Sequence, residues 1–143
     1  VWEDDTKQIG LTHRPNCVTF DEKVFDAIGE SKGKTESEYT SFVDELKHTY
    51  FYDMYKRLNS FYNVGRMRLM KMEQKRCTTW HRDKEHRIHV PIQTAYGAFM
   101  ILDNGEYIHM PADGSAWMVD TTQYHAFMNA TDADRIHLLF NVY

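Results

Sequence analysis

His81-Arg82-Asp83 sets an imidazole and a carboxylate two positions apart. In extended chain, residues i and i+2 point to the same face, so both groups can grip one ion. A second histidine, His125, stands 44 residues on, at the start of another predicted strand. Two histidines and one carboxylate on one face of an octahedron form the donor set of non-haem Fe(II) oxygenases, with positions left open for a bidentate cosubstrate and O2. An HxD pair alone is weak evidence, because such pairs arise by chance in a chain with 8 histidines. HxD, a distal histidine and then Arg135 ten residues further on is a much more specific pattern.

Arg135 matters because 2-oxoglutarate carries a second carboxylate far from its metal-chelating end. A buried guanidinium can hold that group through two parallel charge-assisted hydrogen bonds. Its strand has the right texture. Along 134–143, Arg135, His137, Leu139 and Asn141 share one face, and Ile136, Leu138, Phe140 and Val142 share the other. The segment after HxD repeats the design, with Arg87, His89 and Gln93 on one face and Ile88, Val90 and Ile92 on the other. Arg-Ile-His therefore occurs twice, at 87–89 and 135–137. The polar faces read as the lining of a site and the apolar faces as packing surface under a helix. His13, His48, His86 and His109 are read as surface or incidental groups, Trp80 and Trp117 as core, and Arg68 and Lys71 as surface.

The elements that must position these groups come next. Residues 1–34 are punctuated by Pro15, Asn16, Gly29, Gly33 and the polar run Glu30–Lys34, with room for a short helical turn around Lys23–Ile28. Thr35 or Ser37 can cap a helix with Glu36 and Glu38 in its first turn. Phe42, Leu46, Thr49, Tyr50, Tyr55 and Leu58 then recur at roughly helical spacing. The pattern predicts one long amphipathic helix over 36–59, packed on a sheet. From Val64 the texture changes to short runs between turn signals, predicting strands at 65–73, 86–94, 97–102, 105–110, 115–119, 124–129 and 134–142. Asp103-Asn104-Gly105 is a hairpin signal, and Pro111 to Gly114 is another turn. One helix followed by many short strands predicts a mainly β domain, closed or sandwiched in the jelly-roll manner, with no linker dividing residues 1–143.

Composition narrows the function classes. With 143 residues, 42% of them hydrophobic and 14% aromatic, the chain can build one core without staples. A net charge of -4 argues against broad binding to a phosphate backbone, so no nucleic-acid partner is expected. No stretch approaches the roughly 20 apolar residues of a membrane span, and Val1–Asp5 is acidic with no signal-peptide core. Cys17 and Cys77 lack any metal-type spacing and are read as two buried free thiols in a reducing, cytoplasmic setting, with a single disulfide as the alternative.

Trp80-His-Arg-Asp83, Arg87–Thr94, Gly114–Asp120, His125–Asn129 and Asp134–Leu138, taken in order, resemble the aspartyl/asparaginyl β-hydroxylase family, including its bacterial free-proline hydroxylases. The likeness covers about residues 64–143. It implies a double-stranded β-helix (a cupin-like jelly-roll) that uses Fe(II) and 2-oxoglutarate. His81 and His125 then fall on the iron histidines and Arg135 on the cosubstrate arginine. Arg87 and His89 fall on a pair that contacts 2-oxoglutarate or substrate. The animal aspartyl hydroxylases lack the iron carboxylate that Asp83 supplies here, which places this chain nearer the bacterial small-molecule branch. The implied reaction is hydroxylation of an unactivated C–H in an amino acid, a small acid or a peptide side chain, with O2 consumed. Two other readings stand beside it. One is a metal-dependent cupin of another reaction class, which the chain's HxD in place of HxH and its late His125 disfavour. The other is a catalytically silent binding module of the same fold.

Overall fold

The computed structural model describes residues 6–26 and 35–143. The strands are β1 (Thr6–Gly10), β2 (Thr12–His13), β3 (Ser41–Phe42), β4 (Arg68–Met72), β5 (Arg76–Cys77), β6 (Arg87–Gln93), β7 (Ala98–Leu102), β8 (Tyr107–Ile108), β9 (Trp117–Val119), β10 (His125–Asn129) and β11 (Arg135–Phe140). The helices are α1 (Phe20–Phe25) and α2 (Tyr50–Asn59). The chain forms two compact units, one made of residues 1–7 and 70–139, the other of 8–69 and 140–143. Glu30–Lys34 and Val1–Asp5 lie outside the described residues, as does the end of the turn expected around Lys23–Ile28. No helix among the described residues is long and apolar enough to cross a membrane.

Among the described residues, the regular elements of the first unit are all strands. One sheet has the order β1-β4-β11-β6-β9 and a second the order β5-β10-β7-β8. Period-2 burial builds the core between them: Ala98, Met100 and Leu102 of β7 point inward while Phe99 and Ile101 are only half-buried. Those three join Met72, Met110, Val119 and Phe127, residues from both sheets, in one apolar cluster. The β7–β8 hairpin turns at Asp103–Gly105, where Gly105 takes φ +86°, a left-handed conformation that glycine adopts without strain. At the far end of β10, the fully buried Asn129 side chain donates to the carbonyls of Glu73 and Ala133 and accepts from Thr131 Oγ1. That amide fixes the short connection through which the chain turns back into β11.

The second unit departs from the single long helix expected over 36–59. Residues Glu36–Glu38 form one 3-10 turn, Ser41–Phe42 pair with β2, Asp44–Leu46 form another 3-10 turn, and only Tyr50–Asn59 is α-helical. The capping signal at Thr35 was sound, since its backbone N–H donates to the Glu38 carboxylate, but the helix stops after one turn. Tyr39, Phe42 and Val43 are all buried at i, i+3, i+4 spacing, which suits one face of a helix, but Ser41–Phe42 pairs with β2 instead. The Phe42 ring packs at a tilt against Tyr52 and Tyr55 of α2, so the aromatic spacing reflects a strand and a helix sharing a cluster. Glu36 is buried beside Arg68 at 3.1 Å, so neither is a surface group. Gly65 lies so close to the Glu36 carbonyl that a Cβ would sit 2.8 Å from it.

Other expectations also change. Cys17 is buried, but Cys77 is exposed; both are free. His13 is buried, and Trp80 is 49% exposed where core was expected. Trp117 does pack against the core cluster. The alternate face of β6 is less covered than expected, with Ile92 45% exposed.

Candidate metal centre

Local geometry brings His81 and His125 together. β5 pairs with β10 so that Arg76 opposes Asn129 and Cys77 opposes Met128. Continued without a break, that register would set Trp80 opposite His125. Instead, His81 and His125 form the next bridge. Four steps from Cys77 to His81 thus span three from Met128 to His125, the one-residue excess of a β-bulge, which re-aims a side chain. Thr78 holds the approach, its N–H donating to Phe127 O at 2.8 Å and its Oγ1 accepting from Phe127 N–H at 2.7 Å. Past the bulge, His81 and His125 exchange backbone hydrogen bonds of 3.0 and 2.8 Å. Directly opposed residues of an antiparallel pair share a face. Their ring centroids are accordingly 4.4 Å apart.

Both imidazoles are oriented as metal ligands. Nδ1 of His81 lies 2.7 Å from the carbonyl of Thr79, and Nδ1 of His125 lies 3.0 Å from that of Gln123. A carbonyl only accepts, so each Nδ1 carries the proton and each Nε2 presents its lone pair. Burial also pushes the His125 pKa below its usual value, which keeps the ring neutral and ready to coordinate.

Asp83 completes the set. Its N–H donates to Thr121 O at 2.8 Å, and Thr121 Oγ1 donates to Glu85 O at 2.7 Å, so one buried threonine fixes the bend beyond the HxD pair. Asp83 Oδ2 lies 3.9 Å from His125 Nε2, and the ligand atoms of His81, Asp83 and His125 all fall within 4.8 Å of one another. Three donors sharing one ion at about 2.1 Å would lie roughly 3 Å apart, so these groups would have to close by about one to two ångströms to hold it.

Arg87, by contrast, faces Asp83. Its Nε donates to Oδ2 at 3.0 Å and its second terminal nitrogen to Oδ1 at 3.1 Å, a side-on fork. His89 is buried, with Nδ1 3.4 Å from Nδ1 of His137.

Arg135 is enclosed. It is 5% exposed, its guanidinium carbon lies 3.3 Å over the Phe127 ring, and one terminal nitrogen donates to His137 Nδ1 at 2.7 Å. Its Nε has no hydrogen-bond partner, and among the described residues no carboxylate pairs with it. Burial alone drives its pKa down. His137 is 1% exposed, and burial together with the Arg135 charge pushes its pKa far down, so the ring is neutral. Because Nδ1 accepts from Arg135, the proton sits on Nε2, a buried donor that has no partner. A buried cation with spare donors and only neutral neighbours is costly unless an anion completes it.

Sequence reasoning put His137 on a site-lining face without giving it a role of its own, and did not single out Phe127. Each lies two positions after a named site residue, His125 and Arg135, so the i+2 rule of extended chain already put them on the same faces. Gln93 turns outward and donates to Asp134 O. Lys71 pairs with Asp134 at 2.7 Å.

Residues 44–143 match the model of a family described as aspartyl/asparaginyl beta-hydroxylase. No curated protein matches the chain. Several solved structures are similar at low identity. A cupin domain from Bordetella pertussis Tohama I is 16% identical, with a TM-score of 0.44, over 55% of this chain and 80% of that one. A cupin-2 domain protein from Shewanella frigidimarina is 13% identical, with a TM-score of 0.46, over 69% and 98%. A polyketide cyclase from Streptomyces resistomycificus is 13% identical, with a TM-score of 0.46, over 54% of this chain and about half of its own length, 53%.

Proposed function

The chain belongs to the aspartyl/asparaginyl β-hydroxylase family, and on that basis we propose that it is an Fe(II)- and 2-oxoglutarate-dependent dioxygenase hydroxylating an unactivated C–H of an amino acid, small acid or peptide side chain. The observation that carries the reading is Arg135, a buried guanidinium with an unpartnered Nε and, among the described residues, no acid paired with it. Any divalent ion would suit two imidazoles and a carboxylate. A buried cation in the same β unit narrows the cosubstrate to one with a distal negative charge.

The residues divide the work. His81 and His125 offer Nε2 and Asp83 offers one carboxylate oxygen, which together would hold iron on one face. Bound there with 2-oxoglutarate, iron supplies the oxidation of a C–H bond by O2, with succinate and CO2 released. Arg135 grips the distal carboxylate. Phe127 and His137 keep its guanidinium from turning, and both are uncharged, so the full positive charge is left for the ligand. His89, buried beside His137, remains a contact for cosubstrate or substrate.

Succinate release from 2-oxoglutarate, screened against free amino acids, small acids and peptides, tests the proposal. Turnover should require Fe(II), rise with the right substrate and vanish in His81→Ala. Binding of 2-oxoglutarate that ignores the metal, with no succinate from any candidate, would point to a different cupin reaction or a silent module.

A further inference from the structure

We infer that Arg87 is a positioning residue for the metal carboxylate: it holds Asp83 so that one oxygen can join His81 and His125 around a single ion. The inference rests on the metal-centre reading and departs from the role implied by resemblance, in which Arg87 contacts 2-oxoglutarate or substrate.

The two ends of the ion pair are built differently. Asp83 lies outside any strand, and its side chain is 22% exposed, so packing alone does not select its rotamer. Arg87 is the first residue of β6, opposes Val119 of β9, and has a side chain only 10% exposed. A rigid buried fork therefore meets a carboxylate on a bend. The contacts are two nearly equal bonds, 3.0 Å to Oδ2 and 3.1 Å to Oδ1, which fix the plane of the carboxylate as well as its position. Each carboxylate oxygen has two lone pairs, so one on each survives the fork and can turn toward a metal. Oδ2 is also the oxygen that approaches His125 Nε2. The side-on edge of Arg87 cannot grip Asp83 and a ligand carboxylate at once. Groups that orient a ligating carboxylate typically change metal affinity by about 10- to 100-fold when removed.

Mn(II), a redox-stable probe, can be titrated calorimetrically into the intact wild-type chain and into Arg87→Gln and Arg87→Lys. In Arg87→Gln, Mn(II) affinity should fall about 10- to 100-fold, with Arg87→Lys recovering part of the loss because charge returns without the fork. At saturating Mn(II), the 2-oxoglutarate Kd should stay within about threefold of wild type. In an Asp83→Ala background, Arg87→Gln should change Mn(II) affinity by less than about twofold, since its effect passes through Asp83. A purely structural role would survive the removal of Asp83, and that result overturns the inference. So does unchanged Mn(II) affinity with weakened 2-oxoglutarate binding, which would make Arg87 a ligand contact. Wild-type protein that binds no Mn(II) would instead remove the metal-centre reading itself, a failure visible before any variant is made.

Discussion

At the scale of single residues, neutral groups surround one buried cation, Arg135. Arg135 is oriented by an aromatic face and an uncharged imidazole, so among the described residues no acid competes for its charge. Arg135→Ala should raise the KM for 2-oxoglutarate by about 10- to 100-fold, the worth of a charge-assisted hydrogen bond or two. Arg135→Lys should restore little, because an ammonium lacks both the fork and the flat surface that stacks on Phe127. A KM that does not move in steady-state assays would end the assigned role. His81, Asp83, His125 and Arg135 stood out in the sequence because chemistry and strand alternation point the same way at those positions. The Asp83–Arg87 clasp did not, since i to i+4 contacts are expected on a helix and these two residues flank a bend instead.

At the scale of elements, the strands were legible and the helix was not. From Val64 onward short runs lie between clear turn residues, and β7 and most of β6 alternate buried and less buried positions, so a local pattern sufficed there. Around Tyr39–Val43 the same aromatic spacing came from tertiary packing, and strand pairing overrode helical periodicity. The bulge before His81 was also hidden, because register depends on a partner strand no single segment specifies. Asn129 governs the corresponding geometry on the other side, holding the β10–β11 connection by hydrogen bonds to Glu73 O and Ala133 O. Asn129→Ala should cost about 2 to 4 kcal/mol in denaturant unfolding, since it strands buried carbonyls. It should also weaken 2-oxoglutarate binding, as β11 carries Arg135. Gly65→Ala should lower the Tm, because backbone at 2.8 Å cannot move aside cheaply.

At the scale of the whole molecule, buried neutral histidines tie stability to pH. The folded-state pKa values of His125 and His137 lie below the ordinary 6.5, so the unfolded chain takes up protons first as acid is added. Their contribution is fully present above about pH 6.5 and is lost as pH falls from there toward the folded values. The Tm of metal-free protein should therefore drop steadily below about pH 6.5, and His137→Gln should flatten that decline; an unchanged slope would mean that other groups set it. The proposed metal centre would also act on the chain as a polymer. His81 and His125 meet at an isolated bridge beyond a bulge, yet they are 44 positions apart. An ion gripping both is a reversible cross-link that closes a long loop, a constraint of about 4 kcal/mol on the unfolded ensemble by the chain-entropy model. Loading with Mn(II) should slow amide exchange at His81 and His125 more than at β7, so the ion would serve as the rivet of the seam it sits on.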